Sequence, residues 1–511
     1  MNIVIVAGGL GTRFNTLSVF PKILLPTNKF NSILEEDLSI IDTEKNDVFL
    51  IINEKFYSMT LNYLNVNHLS DKVRLYTSHN INGSYNSIID AYYLAFDFPT
   101  EDILFIWSDI VLDSIPEFDK NFNTIFTYTN GQKYRYKIED GIISLTDKYD
   151  GNIPGVYYIK NLKDVFLFKE DEFNNYDLVD AIKDSKVKVK DVKLNSLFEY
   201  RDYNTYINKV KEYSDTNLKT RFFNRLEVEN ETVLRKTAIV ESYYPIIEKE
   251  YRWYLFGNGC VNDFESITPK IMEYENYSFK MEYLKDYLPL HKVLKSNISL
   301  KDVNKIYKNI DNAIKLLECE SERIPKKIFE EDLKKEVIDK VIDRCDKIKS
   351  MLITYDKEYM VSLLEKAYKY LLKNEKEDKV TYYFGHGDLN GSNIVVNPNT
   401  FEIKFIDPRG YFGNTSIFIW KDYEYAKLLY CLYGYDDFNN LPQIYGIDKP
   451  KPLRWVNNVK YLHKKKYRIL VGIIYVALAG YISQDIMKCN IAYEYGIELL
   501  EKELNLWKEI D

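Results

Sequence analysis

Two stretches of the chain combine residue types that chemistry needs. The first is His386-Gly387-Asp388-Leu389-Asn390-Gly391-Ser392-Asn393, followed by Ile406-Asp407-Pro408-Arg409-Gly410. Asp388 stands five residues before Asn393, and Asp407 fourteen residues after it. In such a set one carboxylate positions an attacking hydroxyl, while an amide oxygen and a second carboxylate hold magnesium against the phosphates of ATP. Asp and Asn are also common turn formers, but a plain capped hairpin does not need the whole set. The second stretch is Gly8-Gly9-Leu10-Gly11-Thr12-Arg13, then Phe20-Pro21-Lys22, directly after the apolar run NIVIVA. A glycine turn leaving a buried strand lets backbone N–H groups approach a phosphate chain. Arg13 adds a forked cation and Lys22 a point-like one, and a triphosphate meeting a phosphate monoester needs both.

The elements that must position these residues follow from the apolar pattern. Continuous runs at Asn2 to Ala7, Asp47 to Asn53, Val73 to Thr77 and Ile103 to Trp107, with an amphipathic helix near Ser84 to Phe96, predict a mainly parallel sheet buried on both faces. Ligands of such sheets sit at the carboxyl ends of the strands, where the glycine loop and Asp109 lie. After a polar helix the pattern changes. Phe222 to Ala238 reads as two strands joined by a turn, and further strands are expected near Ile267 to Tyr274 and Tyr277 to Tyr283. Leu300 to Lys376 reads as strongly helical, with Val337, Val341, Cys345, Ile348 and Leu352 on one face. Beyond Lys379 two short strands enclose the polar loop of Asp388, and more helix follows. The division expected is 1–213 and 214–511, the latter split into a lobe at about 219–290 and a helical lobe at about 291–511.

The first ~210 residues resemble the nucleotidyltransferase family that activates sugar phosphates and phosphocholine as nucleoside-diphosphate derivatives. The resemblance implies a Rossmann-like α/β sandwich that uses magnesium. It puts the triphosphate on Gly8, Gly9, Gly11, Thr12 and Arg13, with Lys22 steadying the phosphates. Gly83-Ser84-Tyr85-Asn86 falls where the family contacts base and ribose, and Asp109 where it binds magnesium. The second metal carboxylate is Glu199 or Asp202, because Phe198-Glu199-Tyr200-Arg201-Asp202 has Arg201 where the family's turn has glycine.

From Phe222 onward the chain resembles the kinase-like family of choline kinases and aminoglycoside phosphotransferases, a bilobal α+β fold. The resemblance makes Asp388 the catalytic base and Asn393 and Asp407 the magnesium ligands, with His386 supporting the loop. It calls for a strand lysine on the ATP phosphates paired with a helix glutamate, namely Lys236 and Glu250, with Arg235 and Glu248 as near rivals. The adenine hinge is expected near Met281 to Tyr287. The turn Glu229-Asn230-Glu231 departs from the family in lacking glycine. Together the halves resemble fused kinase–nucleotidyltransferase proteins of bacterial surface-polysaccharide pathways.

Composition fits this outline. The 511 residues are 46% hydrophobic and 29% charged, enough for more than one core. The formal net charge of -8 argues against a general nucleic-acid binder. Five scattered cysteines without a CxxC pair suit a reducing cytoplasm. The N-terminal run breaks into glycines, unlike a signal peptide. The most apolar stretch, Ile469 to Ile482, is too short for a membrane span and is expected as a buried helix. The 45 tyrosines are spread along the whole chain and form no single cage in the sequence. The expected partners are ATP, a second nucleoside triphosphate (CTP favoured), a small choline-like or sugar alcohol, and its phosphomonoester. The rival readings are a sugar kinase fused to a sugar-1-phosphate uridylyl- or guanylyltransferase, and a chain with one non-catalytic half. The oligomeric state is left open.

Overall fold

The computed structural model describes residues 1–79, 83–129, 134–146, 150–166, 176–212 and 224–504. The expected boundary at 213/214 lies outside these residues, as do Phe222 and Phe223.

The first unit is an α/β sandwich around a seven-stranded sheet. Across the sheet the strands run Val189–Lys193, Asn123–Thr127, Val156–Asn161, Glu101–Trp107, Asn2–Ala7, Asp47–Asn53 and Arg74–Ser78. The last four are mutually parallel, with Ile5 between Leu50 and Ile106. Val156–Asn161 runs antiparallel to both of its neighbours. The central strand explains why its sequence is uninterrupted in apolar residues. Successive side chains point to opposite faces, so Ile3 and Ile5 enter one core while Val4 and Val6 enter the other. Fully burying each such side chain is worth about 1.5–3 kcal/mol. A separate ribbon pairs Ile110–Leu112 with Leu197–Glu199 and sets Glu199 opposite Ile110.

The second unit is bilobal. A four-stranded antiparallel sheet runs Asn224–Asn230, Val233–Ala238, Ser278–Glu282, Ile271–Glu275, and helix Tyr244–Cys260 packs on it. The helical lobe follows, with the pair Lys465–Tyr481 and Ile486–Glu503 at its centre. No helix among the described residues is long and apolar enough to cross a membrane; the Ile469 stretch is buried in Lys465–Tyr481.

Two expectations are corrected. The segment 300–376 is not helical throughout, since Ser321–Pro325 is an edge strand on Lys379–Phe384. Its proline is tolerated because an edge strand leaves one side unpaired. Near Ile267 the chain makes a short helix, Phe264–Ile267, and the strand begins only at Ile271.

The two units pack closely. Tyr63 Oη lies 2.9 Å from Glu35 Oε1 and 3.0 Å from the Gln484 carbonyl, and Asn62 Nδ2 donates to Lys347 O at 2.8 Å. Phe20 meets Tyr445 edge-on with ring centroids 5.1 Å apart.

Candidate active sites

In the second unit, strand Val233–Ala238 alternates outward and inward, so Lys236 faces in with Leu234 and Ala238 while Arg235 faces out. On helix Tyr244–Cys260, Glu250 shares the buried face of Ile247, Trp253 and Tyr254. The two meet: Lys236 Nζ lies 2.7 Å from Glu250 Oε2. Lys236 also bonds Asp407. Burial opposes its charge, but Asp407 and Glu250 outweigh that and hold its pKa above the ordinary lysine value. The rivals are engaged elsewhere. Arg235 donates to Glu229 at 2.5 Å, and Glu248 accepts from Arg252 at 2.6 Å.

The loop between the strands Lys379–Phe384 and Ile394–Val396 carries the remaining groups. Asn393 Nδ2 donates to the Asp388 carbonyl at 2.9 Å and to Asp388 Oδ2 at 3.1 Å. Ile406 N donates to Asn393 O at 3.0 Å, which brings Asp407 alongside. His386 is buried beside Trp253 and the loop. Its Nε2 lies 2.8 Å from Ile406 O, and its Nδ1 accepts from Asp388 N at 3.2 Å. Burial pushes its pKa down to about 4. A neutral ring that ties both strands of the site together is a brace.

Two residues that the motifs did not mark complete this cluster. Lys427 Nζ lies 3.0 Å from Asp388 Oδ1. Glu424, one turn earlier on helix Lys421–Leu432, accepts from Gly387 N at 2.9 Å. Burial, with Asp388 close by, pushes Glu424 up to about 8. Only the helical spacing of Glu424 and Lys427 could have hinted at them.

A cavity of about 530 Å³ runs from this cluster between the lobes. Leu226, Leu234 and Val395 give it apolar lining, and the segment Met281 to Leu284 lines it together with Asn393 and Asp407. Asn31 of the first unit lines it as well. The glycine-free turn above it is clasped by side chains instead: Thr232 N donates to Asn230 Oδ1 at 2.9 Å, and Glu229 bridges Arg235 and Lys280.

In the first unit the glycine loop leaves the central strand against helix Ser84–Leu94. A Cβ on Gly8 would stand 2.3 Å from Ser87 Oγ, and Gly11 has a φ of +63°. Lys22 Nζ lies 2.8 Å from Asp109 Oδ2. Burial works against the Asp109 charge, yet Lys22 and then Arg13 hold its pKa below the ordinary value. Arg13 therefore stands near enough to Asp109 for their charges to interact. The Ile110–Leu112 ribbon carries Glu199 to the same place, where burial and then the Asp109 charge raise its pKa. Asp202 instead caps helix Tyr203–Lys211, accepting from Thr205 N at 2.9 Å. A cavity of about 400 Å³ opens here, lined by Arg13, Glu199, Arg201, Arg135, Trp107 and Tyr134 among others. Gly83, with φ +106°, packs on the Tyr176 backbone, and Ser84 Oγ is committed to Asp177 and Leu178 N.

Among the described residues no three His, Cys, Asp or Glu side chains gather as a metal cluster. The donors that do meet suit a hard cation that keeps several waters. Glu199 Oε2 is buried without a hydrogen-bond partner among the described residues, beside the Asp109 charge. That is an acceptor waiting for a cation, so Asp109 and Glu199 fit magnesium. Asn393 and Asp407, which both line the larger cavity, offer an amide oxygen and a carboxylate of the same chemistry.

No protein-family model matches the chain, and no curated protein matches it. Among solved structures it is similar to a nucleoside-diphosphate-sugar pyrophosphorylase from Vibrio cholerae RC9, at 9% identity over 41% of this chain and 100% of that one, with a TM-score of 0.35. It is also similar to an inositol-1-phosphate CTP transferase from T. maritima, at 14% identity, 42% and 98% coverage, and a TM-score of 0.32. A third similarity is to APH(2")-IIa in its gentamicin complex, at 16% identity, 56% and 89% coverage, and a TM-score of 0.37. At such identities and scores, what the sites do rests on the side chains described above.

Proposed function

We propose that the chain is a bifunctional enzyme performing two consecutive steps. The second unit transfers the γ-phosphoryl group of ATP to a small alcohol. The first unit then transfers a nucleotidyl group, CMP from CTP in our reading, to a phosphomonoester with release of pyrophosphate. The activated product would serve the decoration of a cell-surface polysaccharide. The observation that carries this reading is the contact network of Asp388 with Asn393 and of Lys236 with Glu250 and Asp407, with Asn393 and Asp407 lining a cavity of about 530 Å³, in a chain whose other unit joins a glycine loop to the Lys22–Asp109 pair.

In the kinase step Asp388 accepts the proton of the alcohol while the oxygen bonds to the γ-phosphorus and the bridging bond to ADP breaks. Lys236, held by Glu250, meets the ATP phosphates. Asn393 and Asp407 would hold magnesium there, and Asp109 and Glu199 in the other unit; when bound, the metal neutralises phosphoryl oxygens that repel one another. In the transferase step the monoester oxygen is already ionised at neutral pH and attacks the α-phosphorus in line. No general base is needed, and Arg13 and Lys22 offset the two anions brought together.

The test measures pyrophosphate release with each nucleoside triphosphate and candidate phosphomonoesters, and ADP release with candidate alcohols. Asp109→Ala should abolish the first reaction and spare the second, and Asp388→Ala the reverse. Unchanged ADP release in Asp388→Ala would refute the kinase assignment. Release with UTP or GTP but not CTP would favour a sugar-1-phosphate transferase.

A further inference from the structure

Beside the Asp388 cluster, away from the larger cavity, lies a small void of about 30 Å³. It has room for about two waters. Three cations line it, Lys340, Arg344 and Lys427, against a single carboxylate, Glu336. Lys427 is the residue that touches Asp388, so the void and the proposed base share a wall. A fourth cation stands behind it. Arg409 reaches Glu336 Oε1 at 2.5 Å and Tyr423 Oη at 2.8 Å, and Lys340 holds Glu336 Oε2 at 2.6 Å. Glu336 sits on a π-helical turn, Lys335–Asp339, a local widening of a helix that recurs at functional sites.

Three aromatic rings near Asp388 already meet cations. The Arg409 guanidinium lies 3.9 Å from the Tyr411 ring centroid, and Lys427 Nζ lies within 5.8 Å of the Tyr423 centroid and 5.4 Å of the Tyr430 centroid. A quaternary ammonium group needs such faces uncovered, and here it would meet ammonium and guanidinium groups instead. The transferase cavity repeats the pattern. Arg13, Arg135 and Arg201 line it, with Arg201 over Tyr134 and Arg135 over Tyr136.

Resting on the kinase reading above, we infer that the acceptor is an acidic alcohol: a hydroxyl compound carrying its own carboxylate or phosphate, which Lys340 and Arg344 hold while a short carbon chain presents the hydroxyl to Asp388. The state of Lys340 agrees. Burial, then Arg409, push its pKa down to about 7 against the pull of Glu336, and an anion in the void would relieve that repulsion. The three arginines of the transferase cavity then suit the product of the first step, which bears a phosphate as well as the original anionic group.

The test is calorimetric titration of the full chain, with magnesium and a non-hydrolysable ATP analogue, against glycerate, glycerol 3-phosphate, glycerol and choline. At least one of the two anions should bind about tenfold or more tightly than glycerol or choline, and which one does separates carboxylate from phosphate. Lys340→Gln should remove most of that preference while leaving analogue affinity unchanged. Arg344→Gln, at the rim, gives the same reading should Lys340→Gln fail to fold. Equal or tighter binding of glycerol or choline, no binding of either anion, or a preference that survives both substitutions would overturn the inference. A retained preference for an anion that is never phosphorylated would instead refute the kinase reading and leave the acidic ligand standing.

Discussion

Replacing Glu424 by glutamine should flatten the pH dependence of stability of the second unit. The side chain is buried, and its folded pKa rises from the ordinary 4.5 to about 8. A carboxyl raised in the folded state contributes stability that is complete below its unfolded pKa and is lost as pH rises through its folded one. The window is therefore pH 4.5 to 8, with a slope of about 1.4 kcal/mol per pH unit and a total near 5 kcal/mol. Integrated between pH 5 and pH 8, the wild-type chain loses about 3–4 kcal/mol through this one group. Glutamine keeps an oxygen for Gly387 N and cannot ionise, so the variant should lose none of it. Urea unfolding followed by tryptophan fluorescence reports the unit, since four of the five tryptophans, Trp253, Trp420, Trp455 and Trp507, follow residue 213. The wild-type midpoint should fall relative to the variant's by about 1 M across that range. Other groups titrate there too, but they do so in both proteins and cancel in the difference. Parallel wild-type and variant curves would show that Glu424 is ionised in the folded chain. The division of labour proposed here, a neutral Glu424 bracing the loop and an ionised Asp388 taking the proton, would then fail.

Three further outcomes are expected. Glu199→Gln should reduce pyrophosphate release by about a hundredfold or more, the scale of losing one charge-stabilising group, whereas Asp202→Asn should leave it nearly unchanged and be read out in thermal stability alone. Gly8→Ala should destabilise the first unit by about 1–3 kcal/mol, because its Cβ would press on Ser87 Oγ at 2.3 Å; Ser87→Gly in the same chain should restore most of it in a denaturant titration. Glu250→Gln should cost several kcal/mol, about 3–5 for breaking a buried pair, and should raise the KM for ATP, with Glu248→Gln as the silent control.

The sequence was most legible where one element decides its own fate. The strands at Asn2, Asp47 and Ile103 are buried on both faces, so each is an unbroken apolar run. The choice between Lys236 and Arg235 lay in the alternation of VLRKTA, whose inward positions are Leu234, Lys236 and Ala238. What stayed hidden depends on partners distant in the chain. Glu199 and Asp202 are equally plausible in the peptide FEYRD. Only the pairing of Leu197–Glu199 with Ile110–Leu112 turns one toward Asp109 and leaves the other to cap a helix. Ser321–Pro325 lies within a stretch that reads as helical until Lys379–Phe384 supplies its hydrogen bonds. Lys427, Lys340 and Arg344 look like ordinary solvated charges on helices, and their burial follows from the packing of three helices around one void.

The ion pairs also bear on how the proposed kinase site would be prepared for its substrates. Both carboxylates expected to act are held by internal cations, Asp388 by Lys427 and Asp407 by Lys236. A buried charge without a partner costs several kcal/mol, and each of these lysines supplies its carboxylate with one. In the proposed reading Lys236 would exchange Asp407 for an ATP phosphate while keeping Glu250, which would leave Asp407 to help hold magnesium. Lys427 stays with Asp388 and stands where an anionic acceptor would enter. Nucleotide binding should therefore change the surroundings of Lys236 while Lys427 responds only to the acceptor, an order that amide hydrogen exchange of strand Val233–Ala238 and helix Lys421–Leu432 can follow separately.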